Sequence, residues 1–208
     1  MLKSLINAVN MCVSSYLYRS KLEAFLVSTG IVALAEIGDK TQLLALLLAA
    51  RFKKPWPIVW GIFVATVLNH AMAGALGAWL TTVISAQTLR YTLGASFIAM
   101  AVWMLVPDKL DNSADKQPVR FGIFGTTLVL FFLAEMGDKT QVATVMLAAR
   151  FDAYTAVVAG TTLGMMLANA PVVWLGERVT RWVPLRVVRS ASAVVFLGLG
   201  LFALLSSH

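Results

Sequence analysis

From its first residues onward, the chain alternates long apolar blocks with short basic or polar breaks. A bilayer core about 30 Å thick needs about 20 apolar residues per helix, and the blocks reach that scale. They predict six spans, at residues 22–50, 56–80, 89–106, 121–149, 154–176 and 187–205. The first and fourth are longer than one straight crossing needs. Gly30 and Gly38 lie within the first, so a tilted or broken helix is expected there. Trp56 and Trp79 fall near the two ends of the second, where membrane interfaces enrich Trp. Residues 1–21 hold a shorter apolar run, interrupted by Asn7 and Asn10 and flanked by Lys3, Arg19 and Lys21. The charge layout is that of a signal peptide, but a good small-x-small cleavage site is missing. An interfacial helix or leader is expected, with a seventh span as the alternative.

The breaks divide the chain in two. Residues 107–120 form a polar linker containing Asp108, Lys109, Asp111, Asn112, Asp115 and Lys116. The segments on either side, 22–106 and 121–205, are copies of one another. At an offset of 99 residues, 13 of the 19 positions in 34–52 are identical to those in 133–151. Three spans per copy is an odd number, so the second copy inserts upside down relative to the first. The predicted fold is therefore an all-α integral membrane protein of six transmembrane helices, built as two inverted three-helix repeats. Basic residues orient it. One side carries Arg51, Lys53, Lys54, Lys109, Lys116, Arg120, Arg178, Arg181, Arg186 and Arg189, and the other Lys3, Arg19, Lys21, Arg90 and Arg150. The side with ten should be cytoplasmic. Both termini then lie outside, and the linker lies in the cytoplasm.

The best-matched stretch is also the most polar within the spans. It reads Glu36-Ile37-Gly38-Asp39-Lys40-Thr41-Gln42 in the first copy and Glu135-Met136-Gly137-Asp138-Lys139-Thr140-Gln141 in the second. Each ionisable side chain in a membrane interior costs roughly 2.5–3.5 kcal/mol on insertion scales. A salt bridge that pins helix register would account for one charged pair, but not for the same Gly and Gln beside it twice. On a continuous helix, Glu36 and Asp39 share a face, Lys40 flanks it and Gln42 extends it. Gly38 and Gly137 instead allow close backbone approach, or an opened helix with free carbonyls. Two facing copies would converge four carboxylates and two amide oxygens near mid-membrane. That oxygen-rich cage suits Ca²⁺ or Mn²⁺, whereas Zn²⁺ and Cu⁺ prefer His or Cys, which the motifs lack. Four carboxylates and two lysines leave −2, which one divalent cation or two protons neutralise. The lysines could pair with carboxylates of the opposite copy.

Further deep polar residues lie in the second and fifth spans. His70 and Asn169 match at the same offset, with Asn69 and Pro171 beside them. His70 could relay protons, or simply hydrogen-bond between helices. Gly61-x-x-x-Ala65 and Gly160-x-x-x-Gly164 also match, and are expected to be packing contacts.

Composition narrows the function further. Of 208 residues, 59% are hydrophobic and 13% charged, which excludes an ordinary soluble domain and a disordered chain. The net charge of +7 goes with basic loops, not with nucleic acid, because the aromatics lie in apolar runs without basic interleaving. Cys12 is the single cysteine, so an intrachain disulfide or thiolate metal cluster is not possible. The nine methionines are scattered, as core filling is.

A duplicated Glu-x-Gly-Asp-Lys-Thr in a small six-helix membrane protein resembles one family. These are the cation/proton exchangers that include the Golgi calcium/manganese transporters of eukaryotes and the bacterial manganese exporters of the MneA type. The resemblance runs from residue 22 to 205. It implies that Glu36, Asp39, Glu135 and Asp138 bind the ion, supported by Lys40, Thr41, Gln42, Lys139, Thr140 and Gln141. It implies export of Mn²⁺ or Ca²⁺ from the cytoplasm in exchange for protons. The short linker fits a bacterial inner-membrane exporter, and Mn²⁺ before Ca²⁺. No cofactor is expected beyond the transported ion, and the expected partners are the ion, protons and the bilayer. Two other classes compete. A passive cation channel would share the carboxylates, but the lysines would repel cations in its pore. A membrane enzyme would use Glu and Asp as acid and base, but a nucleophile with a neighbouring base is not evident.

Overall fold

The computed structural model describes residues 2–106, 121–176 and 185–205. The expected linker at 107–120, Arg178 and Arg181 of the basic loop, and the C-terminal His208 lie outside the described residues. Within them the chain is all helix and short turns, in eight helices. They are α1 (Leu2–Glu36), α2 (Lys40–Phe52), α3 (Pro55–Val83), α4 (Ala86–Met104), α5 (Gly122–Glu135), α6 (Lys139–Phe151), α7 (Tyr154–Leu175) and α8 (Leu185–Leu205).

The long first and fourth apolar blocks are each two helices, α1–α2 and α5–α6, broken at the repeated motif. Gly38 at φ +81° and Gly137 at φ +73° turn the chain in the left-handed region, which a side chain disfavours. Asp39 and Asp138 follow in nearly the same extended conformation, φ −81° with ψ 169° and 166°, as N-caps of α2 and α6. Both breaks are closed by the same backbone bond, Asp39 N–H to Glu36 O at 3.0 Å and Asp138 N–H to Glu135 O at 3.1 Å. The expectation that Glu36 and Asp39 share one helical face is therefore corrected. They belong to different helices, at the two lips of a break. Helix α1 is continuous from Leu2, so no break separates residues 2–21 from those that follow. Its 35 residues extend about 50 Å, more than a hydrocarbon core needs.

Among the described residues, three helices are long and apolar enough to cross a bilayer: Pro55–Val83, Tyr154–Leu175 and the Val187–Leu205 part of α8. Gly122–Glu135 is a shorter apolar helix. Helix α3 displays how the molecule is solvated. Its outward residues are Trp56, Trp60, Phe63, Leu68, Met72, Leu76 and Trp79. Its buried face holds Gly61, Ala65, Thr66, Asn69, His70, Ala73, Gly74 and Gly77. Large apolar residues outside and small or polar residues inside is the pattern of a helix whose solvent is lipid.

Packing interlaces the copies. Helix α7 lies on α1, and its counterpart α3 lies on α5. A Cβ on Gly160 would come within 2.5 Å of Phe25 O and 3.1 Å of Ser28 Cβ, and one on Gly61 within 2.7 Å of Thr127 Cβ and 3.0 Å of Phe124 O. Phe124 and Thr127 stand 99 residues after Phe25 and Ser28, so the two crossings use the same register. A Cβ on Gly164 would likewise come within 2.6 Å of Thr29 O. The small-residue positions are thus packing contacts, and they let backbones approach closely enough to bury the polar strip between them. Helix α4 packs on α8, where Phe97 and Phe196, themselves 99 residues apart, meet with ring centroids 6.1 Å from one another.

A buried carboxylate site between the two copies

Both helix breaks turn their carboxylates into the molecule, although Met136 of the second break is 54% exposed. Glu36, at the end of α1, and Glu135, at the end of α5, are fully buried, and Asp138 is 2% exposed. One oxygen from each of these three lies within 4.8 Å of the others. The structure therefore brings together three of the four expected carboxylates, drawn from both copies. Asp39 is also buried, but its oxygens lie outside that cluster. Three like charges this close in a dry interior repel strongly, since the effective dielectric constant there is far below that of water. Such a group persists only with cations or protons among the oxygens.

The neighbouring residues hold these carboxylates in matching ways. Thr41 Oγ1 donates to Glu36 Oε2 at 2.6 Å, and Thr140 Oγ1 donates to Glu135 Oε2 at 3.0 Å. Gln42 Oε1 accepts from the Gly38 N–H at 2.9 Å, and Gln141 Oε1 accepts from the Gly137 N–H at 2.7 Å, so each Gln braces its own break. With the other end each Gln crosses to the opposite copy. Gln42 Nε2 donates to Ala168 O at 3.1 Å, and Gln141 Nε2 to Asn69 Oδ1 at 3.5 Å. Residues 69 and 168 are again 99 apart. The braces leave Glu36 Oε1, Glu135 Oε1 and Asp138 Oδ2 without a hydrogen-bond partner among the described residues. Buried acceptors without donors are uncommon, and here each of the three clustered carboxylates keeps one hard oxygen without a donor among the described residues.

The lysines differ. Lys40 Nζ pairs with Asp138 Oδ1 at 2.8 Å, across the copies, as one of the two expected pairings required. Lys139 is 3% exposed and donates from Nζ to Val106 O at 3.2 Å. Asn169 Nδ2 reaches Glu36 Oε2 at 3.4 Å, as well as Met165 O and Sδ on its own helix, so it belongs to the site. His70 is fully buried on α3, next to Asn69. One supporting contact was missed. Ser192 Oγ of α8 donates to Leu34 O at 3.0 Å, two residues before Glu36. Ser192 lies outside the motifs, and with Arg189 and Ser190 beside it in α8 its hydroxyl does not stand out in the sequence.

A helical chain with membrane-length apolar helices and a buried cage of carboxylates defines the class of an integral membrane cation-handling protein. Comparison with known proteins shows the family. The family described as divalent cation/proton antiporter GDT1 matches twice, over residues 24–112 and 123–208. The chain belongs to this family, which is one of transporters and not of enzymes. A Vibrio cholerae protein named "Putative manganese exporter" is 49% identical over 172 residues, covering 82% of this chain and 85% of its own. A GDT1-like protein of Synechocystis is 28% identical over 208 residues, covering 89% and 97%. The Saccharomyces cerevisiae divalent cation/proton antiporter GDT1 is 24% identical over 233 residues, covering 85% and 81%. No solved structure matches.

Proposed function

We propose that this protein exports a divalent cation, Mn²⁺ before Ca²⁺, from the bacterial cytoplasm across the inner membrane in exchange for protons. The observation that carries this is the convergence of Glu36, Glu135 and Asp138, within 4.8 Å, from two copies of one motif. In this reading they are the ion ligands together with Asp39. Thr41, Gln42, Thr140 and Gln141 hold them in place, and Lys40 occupies Asp138 when the cation is away. The Vibrio cholerae relative's name and the bacterial relatives support Mn²⁺ export and a bacterial membrane.

Six spans are proposed, with α1–α2 and α5–α6 each forming one broken span beside α3, α4, α7 and α8. The copies are inverted about a two-fold relation. The reciprocal contacts of α1 with α7 and α5 with α3, and the meeting of Phe97 with Phe196, favour that relation. The ten-to-five division of basic residues favours a cytoplasmic linker at 107–120 and outward termini. Alternating access then rocks one copy against the other around the shared site. The charge count sets the coupling. Glu36, Asp39, Glu135 and Asp138 against Lys40 and Lys139 leave −2, which one divalent cation or about two protons cancel, so either form crosses nearly neutral.

The test is uptake of radiolabelled Mn²⁺ into inverted membrane vesicles energised by an acidic interior. The wild-type protein should accumulate the ion and Glu135→Gln should not, at equal expression. Equal uptake by the two would sink the proposal.

A further inference from the structure

A second charged feature lies at the far end of α6 from the carboxylates. Arg90, in the second turn of α4, and Arg150, in the last turn of α6, line one cavity of about 330 Å³. Leu89 and Leu93 of α4, Ala149 of α6 and Ala203 of α8 supply apolar wall, and among the described residues no carboxylate lines it. Both guanidinium groups are held in place. That of Arg150 lies 5.8 Å from the Phe151 ring centroid and 5.7 Å from that of Phe202, the neighbour of Ala203. That of Arg90 lies 4.9 Å from the Tyr91 ring centroid and donates from Nη2 to Tyr91 Oη at 3.2 Å. An arginine that only snorkels keeps its head in water, whereas Arg90 Nε is buried. The repeat also singles out Arg90. Of the 21 positions from 86 to 106, three are identical 99 residues later: Arg90, Phe97 and Leu105. Phe97 is accounted for by its packing on Phe196.

We propose that this cavity binds the phosphodiester headgroup of an anionic membrane lipid, of the phosphatidylglycerol type. Guanidinium groups present planar pairs of donors that match phosphate oxygens. The apolar wall beside them takes the glycerol and the first carbons of the acyl chains. The depth also fits, because Ala203 lies near the end of the membrane-length stretch Val187–Leu205, where hydrocarbon gives way to headgroups. Basic pockets between membrane helices are a recurring form of headgroup site. A free phosphate ion would satisfy the arginines but leave the apolar wall without a partner. A zwitterionic lipid carries the same phosphodiester, but brings a choline cation towards two positive charges. The proposal stands whichever ion the carboxylates take.

The test is native mass spectrometry of the purified full-length protein, titrated in detergent with phosphatidylglycerol, with phosphatidylcholine and with inorganic phosphate. The wild type should retain phosphatidylglycerol about tenfold more tightly than phosphatidylcholine, and inorganic phosphate at matched concentration should not displace it. Arg90→Gln/Arg150→Gln should bring the two lipids within about twofold of one another. Ala203→Leu, which fills the cavity and keeps both arginines, should weaken phosphatidylglycerol in the same direction. Lys53→Gln/Lys54→Gln removes as much charge from two exposed lysines and should change nothing. Equal retention of the two lipids by the wild type would overturn the proposal, whether or not the arginine variant folds. So would displacement by inorganic phosphate, which would mark a free-anion site, or an equal loss in the lysine variant, which would mark an effect of net charge.

Discussion

Replacing Lys40 by Met isolates what the cross-copy ion pair does. Lys40 Nζ lies 2.8 Å from Asp138 Oδ1, with the Asp138 side chain 3% exposed and that of Lys40 27%. Breaking a fully buried pair typically costs about 3–5 kcal/mol, because the remaining charge is stranded. Lys40 is about a quarter exposed, so water screens part of the interaction and about 1–3 kcal/mol is the expected loss in the metal-free protein. The cation should feel the opposite sign. Lys40 competes with it for Asp138, and without the lysine the site carries −3 by formal count. Mn²⁺ should therefore bind about tenfold tighter or more, at about 1.4 kcal/mol per tenfold, and leave more slowly. The assay is thermal unfolding of the purified protein with and without Mn²⁺, alongside Mn²⁺ titration and liposome transport. Lys40→Met should melt earlier when metal-free, gain more from Mn²⁺ than the wild type, and transport more slowly. Adding Asp138→Asn should recover the metal-free stability, since both partners are then gone. Weaker Mn²⁺ binding in Lys40→Met would refute the competition between lysine and cation.

Other outcomes follow from the same geometry. Glu36→Gln, Asp39→Asn, Glu135→Gln and Asp138→Asn should each abolish or severely reduce Mn²⁺ export while the protein still inserts, and Glu23→Gln should be tolerated; tracer export at matched expression checks this, and full export by two of the four would contradict the shared site. Gly38→Ala and Gly137→Ala should each lose about 1–2 kcal/mol of stability and most transport, because a Cβ opposes the left-handed turn at the break; a melting temperature and flux equal to wild type would contradict that. Asn112→Cys should be labelled by a thiol reagent only after it gains access to the cytoplasm, and labelling from outside alone would reverse the proposed orientation.

Much of the architecture was legible because a bilayer leaves so few options. Blocks at 56–80 and 154–176 appear as α3 and α7 within a few residues at most positions. The repeat located the site for a similar reason, since charge in an apolar block is too costly to be incidental. The local conformation was harder to read. Helical spacing put Glu36 and Asp39 on one face, but Gly38 and Gly137 take positive φ and end the helix between them. A glycine in an apolar run is equally compatible with a continued helix, and only the fold decides. A lysine–carboxylate pair across the copies was expected from the charges, and the structure forms it between Lys40 and Asp138. The other contacts across the copies were beyond pattern alone: Gln42 with Ala168, Gln141 with Asn69 and Ser192 with Leu34 join residues far apart in the chain. Convergence of three carboxylates in place of four likewise depends on how the breaks face one another.

In the proposed function, a divalent cation and protons exchange at one site that crosses nearly neutral. The most direct measurement is Mn²⁺ flux in liposomes carrying the purified protein, with the pH gradient and the membrane voltage clamped separately by ionophores and an internal dye reporting pH. An imposed pH gradient alone should drive Mn²⁺ uphill with proton counterflow, and voltage alone should do little. Flux that follows voltage, ignores the pH gradient and moves no protons would contradict it.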